Sequence, residues 1–165
     1  MKKVVVCGPY NAGKTSFVKN VNRQEFLGTE EPEINPVSLK EIGTTTTVGV
    51  EVNFLKHAGK EVMFLGVPGQ PKFDFIWEIV GNRFDALLFL IPSFSTLRDV
   101  KFYIDFFSQF NSYREAFKLL VVTYPDRINQ DKLFAFKSLG LPVVVLDPTD
   151  ERAVKKLALE VAAKV

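Results

Sequence analysis

Eight residues, Gly8-Pro9-Tyr10-Asn11-Ala12-Gly13-Lys14-Thr15, constrain this chain more than any other segment. They fit G-x-x-x-x-G-K-[ST] at every specified position, after a β-branched run (Lys3 to Cys7) and at the start of a helix-like stretch (Lys14 to Phe26). The chemistry of such a loop lies in its backbone. Successive N–H groups of residues 11 to 15 form an anion nest, and the helix N-terminus adds partial positive charge. Gly13 lets the backbone come close to a phosphate, Lys14 reaches the β- and γ-phosphates, Thr15 ligates Mg²⁺ through its hydroxyl, and Ser16 is placed to touch the α-phosphate. The bland alternative is a chance match in a Gly-containing turn, and the flanking strand and helix weigh against it.

The remaining composition mostly excludes. At 165 residues the chain is long enough for one domain with its own core. A net charge of +2 with no long Lys/Arg run argues against a nucleic-acid binder. The longest apolar run, Ala86 to Ile91, is far short of the roughly 20 residues of a membrane helix. Cys7 is the only cysteine, which rules out an intrachain disulfide and a multi-thiolate zinc site, and suits a small buried apolar residue. Met1-Lys2-Lys3 leads directly into a strand without a signal-peptide layout, and lipidation signals are missing, so no membrane anchor and a cytoplasmic location are expected.

Apolar β-rich runs alternate with helical stretches along the chain. Strands are expected at Lys3 to Cys7, Thr47 to Lys56, Lys60 to Leu65, Ala86 to Ile91, Leu119 to Thr123 and Val143 to Leu146. His57-Ala58-Gly59 turns the second strand back on the third as an antiparallel hairpin. Helices are expected near Thr96 to Phe110, Asp131 to Lys137 and Asp150 to Lys164, the last capped by Asp150. Leu27 to Thr46, with Gly28, Pro32, Pro36 and Gly43, reads as a long loop, of a length that in compact domains is usually functional or mobile. This is an open α/β sheet of six strands, mostly parallel with one antiparallel strand.

Four further segments, taken with the phosphate loop, make the chain resemble the Ras-like small GTPases along its whole length. The resemblance implies a three-layer P-loop NTPase fold with helices on both faces of the sheet, a single G domain over 1–165, and GTP or GDP as ligand. Glu41-Ile42-Gly43-Thr44-Thr45-Thr46-Thr47-Val48-Gly49-Val50-Glu51 looks like the end of switch I. There Thr47, with Thr46 next, aligns with the threonine that ligates Mg²⁺ and senses the γ-phosphate. On propensity alone, four threonines before a strand are simply β-formers. Leu65-Gly66-Val67-Pro68-Gly69-Gln70 resembles D-x-x-G-Q. Gly69 would offer an N–H to the γ-phosphate, and Gln70 would orient the attacking water. The family's Mg²⁺-holding Asp is Gly66 here, as in a prokaryotic subgroup with Thr-rich switch I and G-x-P-G-Q. If the missing carboxylate matters, Gly66→Asp should tighten Mg²⁺-dependent binding; no gain would point to another group, such as Glu51 or a partner's residue.

Thr123-Tyr124-Pro125-Asp126 occupies the N-K-x-D position, and only the Asp matches. Its carboxylate would accept from guanine N1–H and the 2-amino group. Thr123 would replace part of the Asn's bonding, and Tyr124 would cover the base. The competing reading makes Asp126 a turn residue beside Pro125. Asp147-Pro148-Thr149 resembles the last base-side loop, where the backbone at Pro148 and Thr149 meets guanine O6. Tyr10 is bulky where the family often has a small residue; it either crowds Gln70 or points to solvent.

Three functions compete: a GTP-hydrolysing switch, a non-hydrolysing nucleotide-binding scaffold, and a nucleotide kinase. The hairpin and Pro68-Gly69-Gln70 have no place in the kinase. No Arg lies between Gly28 and Thr47 to act as an internal finger, so intrinsic turnover is expected near the roughly 10⁻⁴ s⁻¹ typical without one. Apolar bulk at Phe73, Phe75, Ile76, Trp77, Ile79 and Val80, and on the 96–110 helix, suggests a docking surface for a protein regulator or effector. Relatives of this type are often paired with small roadblock-type regulators.

Overall fold

In the computed structural model of the chain, the described residues are 1–26, 37–38, 47–48 and 50–165. The fold is built outward from β1 (Lys2–Cys7), whose β-branched side chains alternate between two cores. Val4 and Val6 face one side of the sheet; Val5 and Cys7 face the other. A strand buried on both faces has to be central.

The elements follow as α1 (Lys14–Val21), β2 (Val37–Ser38), β3 (Thr47–Val48), β4 (Glu51–His57), β5 (Lys60–Gly66) and α2 (Asp74–Gly81). Then come β6 (Ala86–Pro92), α3 (Leu97–Ser108), β7 (Phe117–Thr123), α4 (Gln130–Lys137), β8 (Val143–Val145) and α5 (Glu151–Lys164). Six strands pair in the order β4-β5-β1-β6-β7-β8, with β4 antiparallel to β5 and every other pairing parallel. This is the mostly parallel, six-stranded, three-layer sheet expected from the sequence. Side chains of α1 and α5 (Phe17, Val18, Val154, Leu157, Val161) pack on one face. Trp77 of α2, Tyr103 and Phe107 of α3 and Phe136 of α4 pack on the other. No helix among the described residues is long and apolar enough to cross a membrane.

The structure differs from the sequence reading in three places. The expected strand Thr47 to Lys56 is divided: Thr47–Val48 pairs with Val37–Ser38 in a separate antiparallel ribbon, and the sheet's edge strand begins at Glu51. The segment 27–46, expected as a loop, therefore contributes β2; the rest of it lies outside the described residues. The first helix ends at Val21 rather than Phe26, because Asn22 is extended (φ −160°, ψ 100°). The buried Asn53 amide on β4 donates to Val18 O (2.6 Å) and Asn22 O (2.8 Å), meeting carbonyls that further helix would have bonded. The third difference is α2, which in the sequence reads only as apolar bulk.

At the opposite end from the loops, Asp85 ties β1 to the start of β6. Its carboxylate accepts from the Lys3 amide (2.9 Å) and from the Lys2 ammonium (3.1 Å). Burial pushes its pKa up, but the Lys3 amide and the Lys2 ammonium outweigh this and hold it below the ordinary Asp value. A carboxylate lowered in the folded state stabilises above its unfolded pKa, and that contribution is lost as pH falls through the folded value. Asp85→Asn is therefore expected to lower stability near neutrality and to flatten the loss of stability below about pH 4. Urea unfolding across that range checks this; parallel wild-type and variant curves would show that Asp85 makes no charge-dependent contribution.

Candidate functional site

The loop between β1 and α1 crosses the carboxyl ends of the central strands, where open α/β sheets place their ligand clefts. Its path needs three left-handed or glycine-only conformations: Gly8 (φ 141°), Asn11 (φ 60°) and Gly13 (φ 96°). A Cβ at Gly8 would sit 2.0 Å from the Leu90 carbonyl oxygen, so β6 leaves no room for a side chain there. Gly13 caps α1 with no side-chain hydrogen bond, which leaves the first amides of the helix open to a ligand.

Lys14 is buried at the heart of the loop, and its ammonium donates to Gly8 O (2.9 Å) and Pro9 O (2.6 Å). Burial lowers its pKa to about 8, while the charge of Glu51 opposes the shift. The Thr15 hydroxyl donates to the Glu51 carboxylate at 2.5 Å. These residues line a cleft of about 450 Å³ together with Tyr10, Asn11, Gly13, Ser16, Gly66, Val67, Pro68, Gly69, Gln70, Phe73 and Tyr124. The structure thus brings the phosphate loop and the Gly69-Gln70 segment to one cleft. A Cβ on Gly69 would lie 2.6 Å from both Lys14 Nζ and Gly8 O, a measure of how closely the two loops approach.

Two aromatic donors fix that second loop from behind. Trp77 Nε1 donates to Pro68 O (2.7 Å), and the Tyr103 hydroxyl donates to Gly69 O (2.8 Å). Burial pushes the Tyr103 phenol up to about 12, so it remains a donor at physiological pH. Neither side chain is legible from sequence as part of the site. Their only signal there is an apolar excess, which the structure in part absorbs internally, since Trp77 packs on Phe102, Tyr103, Phe106 and Phe107. Ile79 and Phe102 remain 53% and 45% exposed.

Beside the cleft lie the expected base-reading residues. Tyr124 is left-handed (φ 56°, ψ 62°), and its hydroxyl donates to Asn11 O at 2.9 Å. Thr123 is fully buried, and its hydroxyl has no hydrogen-bond partner among the described residues. Asp126 is exposed on a single 3-10 turn. Phe94 packs against Tyr124 with Arg127 over both rings, an aromatic rim that the sequence did not reveal. Pro148 is buried against Gly13, and its carbonyl accepts from Asn20 (2.8 Å). Thr149 donates through both its amide and its hydroxyl to Asp147. Ala12 is buried under the loop; it, Thr123, Asp126, Pro148 and Thr149 do not line the 450 Å³ cleft itself. Tyr10 is 66% exposed at the cleft rim, the solvent-facing alternative of the two. Thr47 is in β3, and Thr46 lies outside the described residues.

No family profile matches the chain, and no curated protein matches it in sequence. Solved structures do match in fold. The G domain of the T. maritima FeoB iron transporter superposes with a TM-score of 0.67 at 18% identity, covering 99% of this chain and 98% of that one. The bacterial selenocysteine-specific elongation factor EF-Sec gives 0.70 at 14%, over 99% of this chain and 28% of that one. The T. maritima FeoB cytosolic domain in its GMPPNP form gives 0.65 at 16%, over 99% and 63%. The chain thus spans an isolated G domain almost completely, but under two thirds of the longer proteins. At these identities the likeness establishes the G-domain fold.

Gly13→Ala tests the loop geometry without any ligand. It forces a left-handed Ala, which costs about 1–2 kcal/mol, and puts a methyl group 2.5 Å from Pro148 Cγ. Urea unfolding is expected to show a loss of about 2 kcal/mol or more. Unchanged stability would mean that the Gly13 conformation carries no constraint.

Proposed function

We propose that the chain is a single small GTP-binding domain, a switch that hydrolyses GTP slowly to GDP and depends on a protein partner for activation. One observation carries this reading. The buried Lys14 ammonium, the uncapped start of α1 and the Gly69-Gln70 loop converge on one cleft at the carboxyl ends of the strands. The fold shared with G domains solved in GMPPNP and GDP forms supports it.

In this reading Lys14 exchanges the Gly8 and Pro9 carbonyls for β- and γ-phosphate oxygens. The amides of Asn11, Ala12, Gly13, Lys14, Thr15 and Ser16 cradle the phosphates, and Gly69 N–H meets the γ-phosphate. Gln70 orients a water for in-line attack on the γ-phosphorus. The bond from phosphorus to the bridging oxygen breaks, leaving GDP and phosphate. Guanine is selected by Asp126, with Thr123 and Tyr124 beside the base and the Pro148–Thr149 backbone at its O6 edge.

The residues at the cleft fit Mg²⁺, since the Thr15 hydroxyl and a buried carboxylate oxygen, both hard donors, already share one hydrogen bond. Thr15 would hold the ion, with Thr47 as the second ligand implied by the switch I resemblance. The ion, when bound, would supply charge neutralisation to the phosphates. Ile79 and Phe102, both exposed, mark where a regulator, of roadblock type by resemblance, would dock near switch II and α3. Gly66, where the resembled family has its Mg²⁺-holding Asp, favours a second reading, a scaffold that binds nucleotide without hydrolysing it.

Lys14→Ala is expected to abolish GTP and GDP binding in calorimetry, because both ligands need the same cradle. Unchanged affinity would remove the nucleotide assignment. Asp126→Ala should erase a preference for GTP over ATP in competition against a labelled nucleotide; equal competition by the wild type would make Asp126 a turn residue only. Single-turnover assays with GTP separate the two readings: slow, Gln70-dependent release of phosphate supports the switch, and none supports the scaffold.

A further inference from the structure

Residue 66 lacks a carboxylate, yet the space beside it is not without one. We infer that Glu51, the first residue of edge strand β4, supplies the acidic group of the Mg²⁺ site that the segment after β5 does not. The inference rests on the nucleotide-binding reading above.

Phosphate loops of this type hold the ion with their Ser/Thr hydroxyl and an acidic residue from a neighbouring strand. Leu65 to Gln70 contains no acid. Its antiparallel neighbour does. The two-residue turn Ala58-Gly59, left-handed at both positions (φ 48° and 75°), sets the register of the hairpin so that His57 faces Lys60 and Glu51 faces Gly66. Residues directly opposite on antiparallel strands point to the same face of the sheet. A Cβ built on Gly66 would accordingly meet Glu51 Oε2 at 3.1 Å and Glu51 Cβ at 3.5 Å, with Val18 Cγ2 also at 3.1 Å. The Glu51 side chain thus fills the volume that a side chain at position 66 would take, reaching it from the next strand.

Burial and hydrogen bonding point the same way. Glu51 is only 8% exposed, which is rare for an acid unless its charge is met. Its Oε1 accepts from the Thr15 hydroxyl, the group that would ligate the ion. No cluster of three or more His, Cys, Asp or Glu occurs among the described residues. A site of one hydroxyl and one carboxylate, completed by phosphates and waters, is the pattern Mg²⁺ favours over an all-protein cage. The competing explanation is structural: Glu51 merely anchors Thr15 and the start of α1. Under it, replacing Glu51 lowers stability but leaves the Mg²⁺ dependence of binding unchanged.

The test measures GDP affinity by calorimetry, with Mg²⁺ and with EDTA, on the full chain. The variants are Glu51→Gln, Glu51→Asp, Glu51→Ala and the exchange Glu51→Ala/Gly66→Asp, each checked for folding by circular dichroism. Wild type is expected to gain affinity with Mg²⁺. Glu51→Gln, near-isosteric and still able to accept from Thr15, should lose about tenfold or more of the affinity measured with Mg²⁺ relative to wild type. Glu51→Asp, which keeps the charge one methylene back, should lose less. The exchange variant should recover part of what Glu51→Ala loses, because truncating Glu51 removes its Oε2 from beside position 66 and leaves Val18 Cγ2 as the one tight contact for the new side chain. A full Mg²⁺ gain in Glu51→Gln or Glu51→Ala overturns the inference while leaving nucleotide binding intact. Should Glu51→Gln not fold, the comparison of Glu51→Asp with the exchange variant decides. Wild type that binds no GDP under either condition overturns the underlying reading as well.

Discussion

The approach of a bare backbone to the ends of the central strands is the constraint on which the rest depends. Gly8 passes under the Leu90 carbonyl, where even a methyl group has no place. That contact puts the loop close enough to β1 for α1 to start directly over the strand ends. Backbone amides at such a start are strong donors, and leaving them unmet in a dry site costs about 1–3 kcal/mol each. The chain meets this by keeping them at an open cleft, while the Lys14 ammonium finds its own acceptors in the Gly8 and Pro9 carbonyls. The same geometry that makes the loop awkward for a side chain makes it suited to an anion.

The second loop of the cleft is held by the aromatic core. Trp77 and Tyr103 each contribute a ring to the α2–α3 interface and a polar hydrogen to the Pro68–Gly69 backbone. Buried Trp and Tyr normally find such partners, since an unmet N–H or O–H would offset part of their apolar gain. Here the partners are the carbonyls of Pro68 and Gly69, immediately before Gln70. Any shift of α2 against α3 therefore bears directly on Gly69 and Gln70. Part of the chain's Phe content serves this end: Phe102, Phe106 and Phe107 pack on Trp77, and Phe110 packs behind Phe106 and Phe107.

What was legible in the sequence is what local chemistry specifies. The phosphate loop, the hairpin turn and the Asp150 cap, which accepts from the Ala153 amide at 3.1 Å, each follow from a few adjacent residues. The buried strands were legible because a parallel sheet covered on both faces demands unbroken apolar runs. The end of α1 was not legible, because it is set by Asn53 from another strand. Helix α2 escaped because Phe75, Ile76, Trp77, Ile79 and Val80 show no clean apolar stripe, and only Ile76, Trp77 and Val80 among them are buried. Glu51 was within reach: counting outward from Ala58-Gly59 puts it opposite Gly66. Its hydrogen bond to Thr15, however, joins a strand to a helix 36 residues apart.

The Tyr124 side of the cleft shows how strain is distributed between loops. Asn11 and Tyr124 are both left-handed, a conformation that costs an ordinary residue about 1–2 kcal/mol. They are also joined to each other, since the Tyr124 hydroxyl donates to Asn11 O. The Tyr124 carbonyl in turn accepts from the Ser93 hydroxyl at 2.8 Å and from the Arg127 amide at 3.1 Å. Each bond offsets part of the strain, and together they make the phosphate loop and the 123–126 loop one mechanical unit. The buried Thr123 hydroxyl next to Tyr124 has no partner among the described residues, a deficit of about 1–3 kcal/mol that a bridging water or a ligand's hydrogen-bonding edge would recover. Two left-handed residues joined to each other thus couple the conformations of the two loops beside the buried Thr123 hydroxyl.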